Sequence, residues 1–194
     1  MRLHRAPKAA ALLLAATLAL SACSDDDPDS PEPSPTPSST SASPTATPSA
    51  KPTEPVLPKA AKEATEAGAR AFITYYWDLI NYAQVTGDVK ALKRASGPNC
   101  EGCHGGIDAV RDLYRDGGSA KGGKYEVRIG HVRTITSADK TLTGIEAKYD
   151  VRNSRQTIYR GDGPPEVSEP ATTAYLSYLI WVDRAWRTDV LEPR

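Results

Sequence analysis

Ten of the sixteen prolines in this 194-residue chain fall between Pro28 and Pro58. Proline holds φ near about −65° and has no amide hydrogen to donate, so a stretch this dense in it enters neither helix nor sheet. Around the prolines stand Ser, Thr and the run Asp25-Asp26-Asp27, with no large apolar side chain before Val56 and Leu57. Nothing there can form a core, and residues 23–58 read as a disordered tether. Residues 59–194 have room for one domain and not for two cores.

The segment before the tether reads as an address. Met1 to Lys8 is basic, and Ala9 to Leu20 is an unbroken run of Ala, Leu and Thr. Twelve residues make about 18 Å of helix, short of a hydrocarbon core of roughly 30 Å. Residues 1–22 therefore read as a signal peptide. Leu20-Ser21-Ala22-Cys23 closes it and resembles the bacterial lipobox, which implies that Cys23 becomes the acylated N-terminus. Two or more acyl chains anchor stably where one does not. The expected location is the extracellular face of the cell membrane, and the membrane is the first expected partner. Extended at ~3.1 Å per residue, the tether reaches about 110 Å, and as a flexible coil ~35 Å. Its serines and threonines are candidate sugar acceptors.

Charge excludes one function class. The whole chain balances 24 basic against 24 acidic residues. Loss of Arg2, Arg5 and Lys8 with the signal leaves 21 against 24, a net −3. A nucleic-acid binder relies on a field of positive charge, which this chain lacks.

Within the domain the hydrophobic period changes once. Pro58 suits the first turn of a helix, and Ala60, Ala64, Ala67 and Ala71 lead into Phe72, Tyr75, Tyr76, Leu79, Ile80 and Ala83. The later set follows i, i+3, i+4, i+7, i+8 and i+11, one apolar stripe. Gly87 stops this helix and Asp88 caps the next, a short one carrying Ala91, Leu92 and Ala95. Ser96-Gly97-Pro98 breaks it. A third helix is expected from about Cys103 to Asp116, ended by Gly117-Gly118. After Gly123 the period is two. Tyr125, Val127 and Ile129 alternate with polar residues, as do Ile145, Ala147, Tyr149 and Val151. A short strand covers Gln156 to Arg160, and Ala171 to Val182 is the strongest. Asp183-Arg184-Ala185 turns the chain into a last strand, Trp186 to Leu191. Helices followed by an antiparallel meander give an α+β class, with the helices on one face of a curved sheet.

The pattern of Tyr75-Tyr76-Trp77, Asn81-Tyr82-Ala83, Thr86-Gly87-Asp88, Ser96, Cys100-x-x-Cys103, Tyr114 and Gly117-Gly118, with the closing Trp181-Val182 and Trp186-Arg187, resembles an uncharacterised family of actinobacterial lipoproteins. That family is similar to the nuclear-transport-factor-2-like, or SnoaL-like, cone fold. The resemblance covers most of 59–194 and implies a cone in which a long helix and a bent sheet enclose a pocket. It implies no catalytic residues.

Cys100-Glu101-Gly102-Cys103-His104 is the one local pattern with chemical force, and it admits four readings. A disulfide is one, since Cys23 is spent on lipid and an exported pair oxidises. Closing so small a loop contributes about 2 kcal/mol before strain. The spelling also matches c-type haem attachment through Cys100, Cys103 and His104, a thioredoxin-like redox pair, or a thin zinc set with His131. The structural disulfide is the expectation, with no cofactor and no metal. For acid–base chemistry in a SnoaL-like pocket the candidates are Asp78, His131 and Asp183. Against that role, Asp78 suits a wet helix face, His131 a strand end and Asp183 a hairpin turn. Tyr75, Tyr76, Leu79, His131 and Trp181 are the expected pocket residues, because Tyr and Trp suit both pocket walls and cores. The function expected is a non-catalytic module that binds a small ligand or an envelope protein. The rivals are a small SnoaL-like enzyme and a c-type haem protein.

Overall fold

One helix organises the fold, and its ends are set by two residues. In the computed structural model, which describes residues 52–138 and 143–194, α1 spans Glu66–Thr86. Thr65 caps its start, its Oγ1 accepting from the Gly68 N–H at 3.0 Å. Gly87 ends it in a left-handed conformation, φ +76°, that side chains rarely adopt, with its N–H on the Ala83 carbonyl. The expected start at Ala60 is corrected. Ala60–Lys62 is a single 3-10 turn, and Glu63 is extended, so the chain breaks before Thr65 restarts it. The alanines of this stretch favour helix but bury little, and the cap at Thr65 decides the boundary.

The helical order otherwise follows the sequence pattern. Helix α2 is Lys90–Ala95, with Asp88 Oδ1 accepting from the Lys90 N–H at 3.0 Å. Helix α3 is Glu101–Arg115 and begins two residues before the expected Cys103, because Cys100 takes the cap position.

The strands form two antiparallel sheets rather than one meander. The larger has the order β2 (Tyr125–Thr136), β3 (Thr143–Asn153), β6 (Ala171–Val182), β7 (Ala185–Pro193). The smaller is β1 (Ser119–Gly122), β4 (Gln156–Tyr159) and β5 (Glu166–Ser168), in that order. Strands β1 and β5 have four and three residues, too few for a period to show in the sequence. Bulges at Ile129/His131 and Tyr178/Leu179 shift register in the larger sheet, the usual means of bending a strand. The hairpin between β6 and β7 turns on Asp183 and Arg184, both at positive φ. The expected α+β class, helices then antiparallel strands, is present.

The core lies between α1 and the larger sheet. Phe72, Ile73, Tyr76, Trp77, Leu79 and Ala83 of α1 are buried with Val132, Ile145, Ala147, Val151, Leu179 and Leu191. The buried surface of α1 is wider than the expected stripe because α2 and the 3-10 turn cover it beside the sheet. Asn81 fastens the helix to the sheet, donating to the Tyr125 carbonyl at 2.9 Å and accepting from the Tyr125 N–H at 2.7 Å. On the opposite face of β3, Glu146 accepts from the Arg133 guanidinium at 3.0 Å and from the Tyr178 hydroxyl at 3.2 Å. The Arg133 hydrogen bonds hold that carboxyl below the usual glutamate value.

The folded part begins before residue 59. In the extended run from Pro52 to Pro58, Leu57 packs against the core. The Glu54 carboxylate accepts from Arg94 at 3.4 Å. The expected signal peptide 1–22, the expected lipidation at Cys23 and the expected tether as far as Lys51 lie outside the described residues. Among the described residues no helix is long and apolar enough to cross a membrane.

Candidate functional site

The aromatic residues divide into two sets with different surroundings. The first fills the interior beneath α1. Trp77 meets Tyr125, Tyr149 and Tyr175 edge to face, with ring centroids 5.2, 6.3 and 5.1 Å away. Tyr149 and Tyr175 stack on each other across β3 and β6, 6.1 Å apart. Trp77 Nε1 and Ser177 Oγ are buried without a hydrogen-bond partner of good geometry. Burial pushes the Tyr149 hydroxyl up, and the nearby Ser177 and Trp77 groups offset only part of that. Burial likewise raises Tyr125 and Tyr175, and Tyr76, which shares a 2.8 Å hydrogen bond with Ser96 Oγ. This is a packed centre with tyrosines held neutral.

The second set stands at the start of α1 and borders open space. Trp181 and Trp186 face each other across the β6–β7 hairpin, 5.2 Å apart with their planes at 71°. The Trp186 indole N–H donates to the Glu63 carbonyl at 3.0 Å, which fixes that ring to the break before α1. With Thr65, Glu66, Ile145 and Ile180 the two indoles line a cleft of about 420 Å³. Glu66 Oε1 accepts from the Thr134 N–H at 3.1 Å and from Thr134 Oγ1 at 3.3 Å, tying the helix start to edge strand β2. A separate depression, about 220 Å³, lies between α1 and α3, where Gln156 donates to the buried Gln84 side chain at 2.6 Å.

The expected pocket residues do not share one cavity. Tyr76 and Leu79 are buried in the core and Tyr75 is half-buried beside them. Trp181 lines the cleft. His131 is exposed and, against its expected place among the pocket residues, does not share the inward side of Tyr125, Val127 and Ile129. The bulge at Gly130 inserts one residue, so Val132 takes the inward position and His131 faces out. It borders a depression with Arg128, Lys148 and Asp150, whose wall also includes Tyr149 and Tyr175 at the margin of the aromatic centre. Asp78 is exposed on α1, its carboxyl raised by partial burial against the opposing pull of Lys124. Asp183 is exposed in the hairpin turn. No two of these three line the same cavity among the described residues. Glu66 and Trp186 complete the cleft; Trp186 stands in the closing aromatic pattern of the sequence, whereas Glu66 carries no signal there beyond its position. Glu66 sits in an alanine-rich run, and only the fold brings it against β2.

Cys100 and Cys103 are joined by a disulfide, both buried, at the start of α3. The bond consumes the two thiols that haem attachment or a thiolate metal site requires. His104 Nε2 lies 3.0 Å from the Gly97 carbonyl, and Gly97 in turn donates its N–H to the Thr188 carbonyl at 2.7 Å. The segment between α2 and α3 is thus pinned to β7. No group of three or more His, Cys, Asp or Glu that could hold a metal occurs among the described residues.

Comparison with solved structures finds similar backbones at low identity. The intermembrane space region of the chloroplast protein ARC6 is 12% identical, with a TM-score of 0.46, over 68% of this chain and 97% of that one. Aln2 from a Streptomyces species is 12% identical, with a TM-score of 0.39, over 66% and 90%. The beta subunit of benzoate 1,2-dioxygenase from Burkholderia mallei is 12% identical, with a TM-score of 0.42, over 68% and 90%. Such likeness conveys neither ligand nor activity to this chain. No curated protein matches it. The model of the family of unknown function DUF6318 matches residues 41–192, the described domain and the stretch just before it, and the chain belongs to that family.

Proposed function

We propose that this chain is a lipoprotein of the actinobacterial cell envelope, anchored through Cys23 on the extracellular face of the membrane. Its domain is a non-catalytic binding module of SnoaL-like layout. The basic start, the short apolar run, Leu20-Ser21-Ala22-Cys23 and the polar tether stand in the order that such an anchor requires. One observation carries the binding reading. Trp77 is packed against three tyrosines in the interior, while the partly exposed Trp181, with Trp186 behind it, borders an open cleft with no acid–base pair among its described lining residues. General acid–base catalysis needs its groups within hydrogen-bond reach of one substrate, and Asp78, His131 and Asp183 stand apart. A cleft of this volume with mostly apolar walls and few polar groups is the usual form of a small-molecule site.

Two experiments test the reading. Cys23→Ala should leave the precursor uncut or release the domain to the medium; a variant that still fractionates as a cleaved membrane protein removes the anchor. Native envelope extract passed over the anchored protein and over its Trp181→Ala variant should yield a species retained by the first and lost from the second. Retention unaffected by the substitution places binding away from the cleft.

A further inference from the structure

The chemistry of the Trp181–Trp186 cleft specifies the sign of what enters it. Its walls are apolar or hydroxyl-bearing, and Glu66 is the one formal charge among the described lining residues. The two hydrogen bonds that Glu66 Oε1 accepts come from Thr134, a neutral residue. No ion pair to Glu66 occurs among the described residues. The N-terminal end of α1 offsets only about half a unit of that charge. An anion entering the cleft meets a carboxylate, and a neutral molecule gains apolar burial alone. A cation gains attraction to Glu66 and to the indole faces, which are the strongest of the aromatic side chains for this contact. Of the two indoles Trp181 is the partly exposed one, and Trp186, 6% exposed, backs it edge to face with the planes at 71°.

From this, and resting on the cleft being the binding site, we infer that the ligand has an apolar body and a cationic head, an alkylammonium in chemical class. Glu66 supplies the charge, and Trp181, backed by the buried Trp186, the aromatic wall. The roughly 420 Å³ of space admits a molecule larger than the head group alone, so the apolar tail lies along Ile145 and Ile180.

The test uses the full chain, with its tryptophans reporting as indole N–H resonances in proton–nitrogen spectra. Single Trp→Phe variants assign the Trp77, Trp181 and Trp186 signals. The probes are hexyltrimethylammonium, hexan-1-ol and hexanoate, which share a tail and differ in the head. The ammonium should shift Trp181 and Trp186, leave the buried Trp77 in place, and bind about tenfold more tightly than the alcohol. Hexanoate should bind weakest. Glu66→Gln keeps an oxygen for Thr134 and should remove the preference for the ammonium. Equal binding of ammonium and alcohol by the unmodified chain overturns the cationic assignment and leaves the cleft as an apolar site. A preference that survives Glu66→Gln overturns the role given to that carboxylate. If no probe moves Trp181 or Trp186, the cleft is not a binding site and the proposed module loses its basis with it.

Discussion

The interior under α1 and the cleft beside its first turn are built from the same side chains. Trp77 touches three tyrosines and is 4% exposed. Trp181 touches one tryptophan and borders a cleft. The difference is what lies over them. The middle of α1 covers the larger sheet, so rings there fill space between helix and sheet. At Thr65 the helix has only begun, leaving the partly exposed Trp181 beside open space with Trp186 buried behind it. Aromatic residues thus act as core or as wall according to where a helix starts, a property of Thr65 and Glu63 more than of the rings themselves.

The largest expected effect breaks the interior. Trp77→Ala should cost about 3–5 kcal/mol, the range for emptying a buried aromatic site, read from urea unfolding. That is a large part of a typical domain stability of about 5–15 kcal/mol. Trp181→Ala should cost about 1 kcal/mol, because a partly exposed ring loses less apolar burial. Equal costs would mean that the cleft is as much core as the interior.

Alkali should separate the regions next. Burial raises Tyr125, Tyr149 and Tyr175 above the ordinary 10.0, so the folded state keeps protons that the unfolded chain releases. Their contribution is whole below pH 10.0 and is lost as pH rises above it. Phenolate absorbance should therefore rise late in the folded protein, with unfolding in its upper range. Tyr149→Phe should lessen the late fraction. A tyrosine titration completed near the ordinary value in folded protein would mean that water reaches the interior.

The disulfide comes third. Cys100→Ala with Cys103→Ala should lower stability by about 2 kcal/mol or less without abolishing the fold, since the closed loop is short. Intact protein should show a two-proton mass deficit that disappears on reduction, and no Soret band. A larger loss would show that the segment held to Thr188 organises β7 and, through it, Trp186. The smallest effect is expected at Lys62, exposed on the 3-10 turn beside the cleft. Lys62→Ala should be nearly silent in stability, within about 0.5 kcal/mol. A larger change would mean that the turn supports the cleft's floor.

Much of the fold is legible in the chain. The stripe from Phe72 to Ala83 places the face of α1, Gly87 its end, and the alternation of Ile145, Ala147, Tyr149 and Val151 the inner face of β3. The site is less so. The side taken by His131 escapes the alternation because one inserted residue at Gly130 reverses every later side of the strand, and a bulge leaves no mark on a count of alternating residues. Tyr75, Tyr76 and Leu79 share a helix face with one another but not a cavity with Trp181, since periodicity tells which side is covered and not by what.

By itself the sequence determined that an α+β domain follows the proline-rich stretch, that Cys100 and Cys103 are a pair available to each other, and where the first helix stops. These depend on neighbours in the chain: period, caps, glycine conformation and spacing. The tertiary structure alone decided that Glu66 and Thr134, 68 residues apart, meet across two hydrogen bonds. It alone decided that Trp186 is held by the Glu63 carbonyl, and that Trp77 is packed among tyrosines while Trp181 lines open space. Those outcomes depend on how a helix end and a hairpin end fall against each other, and no local rule of the chain contains that distance.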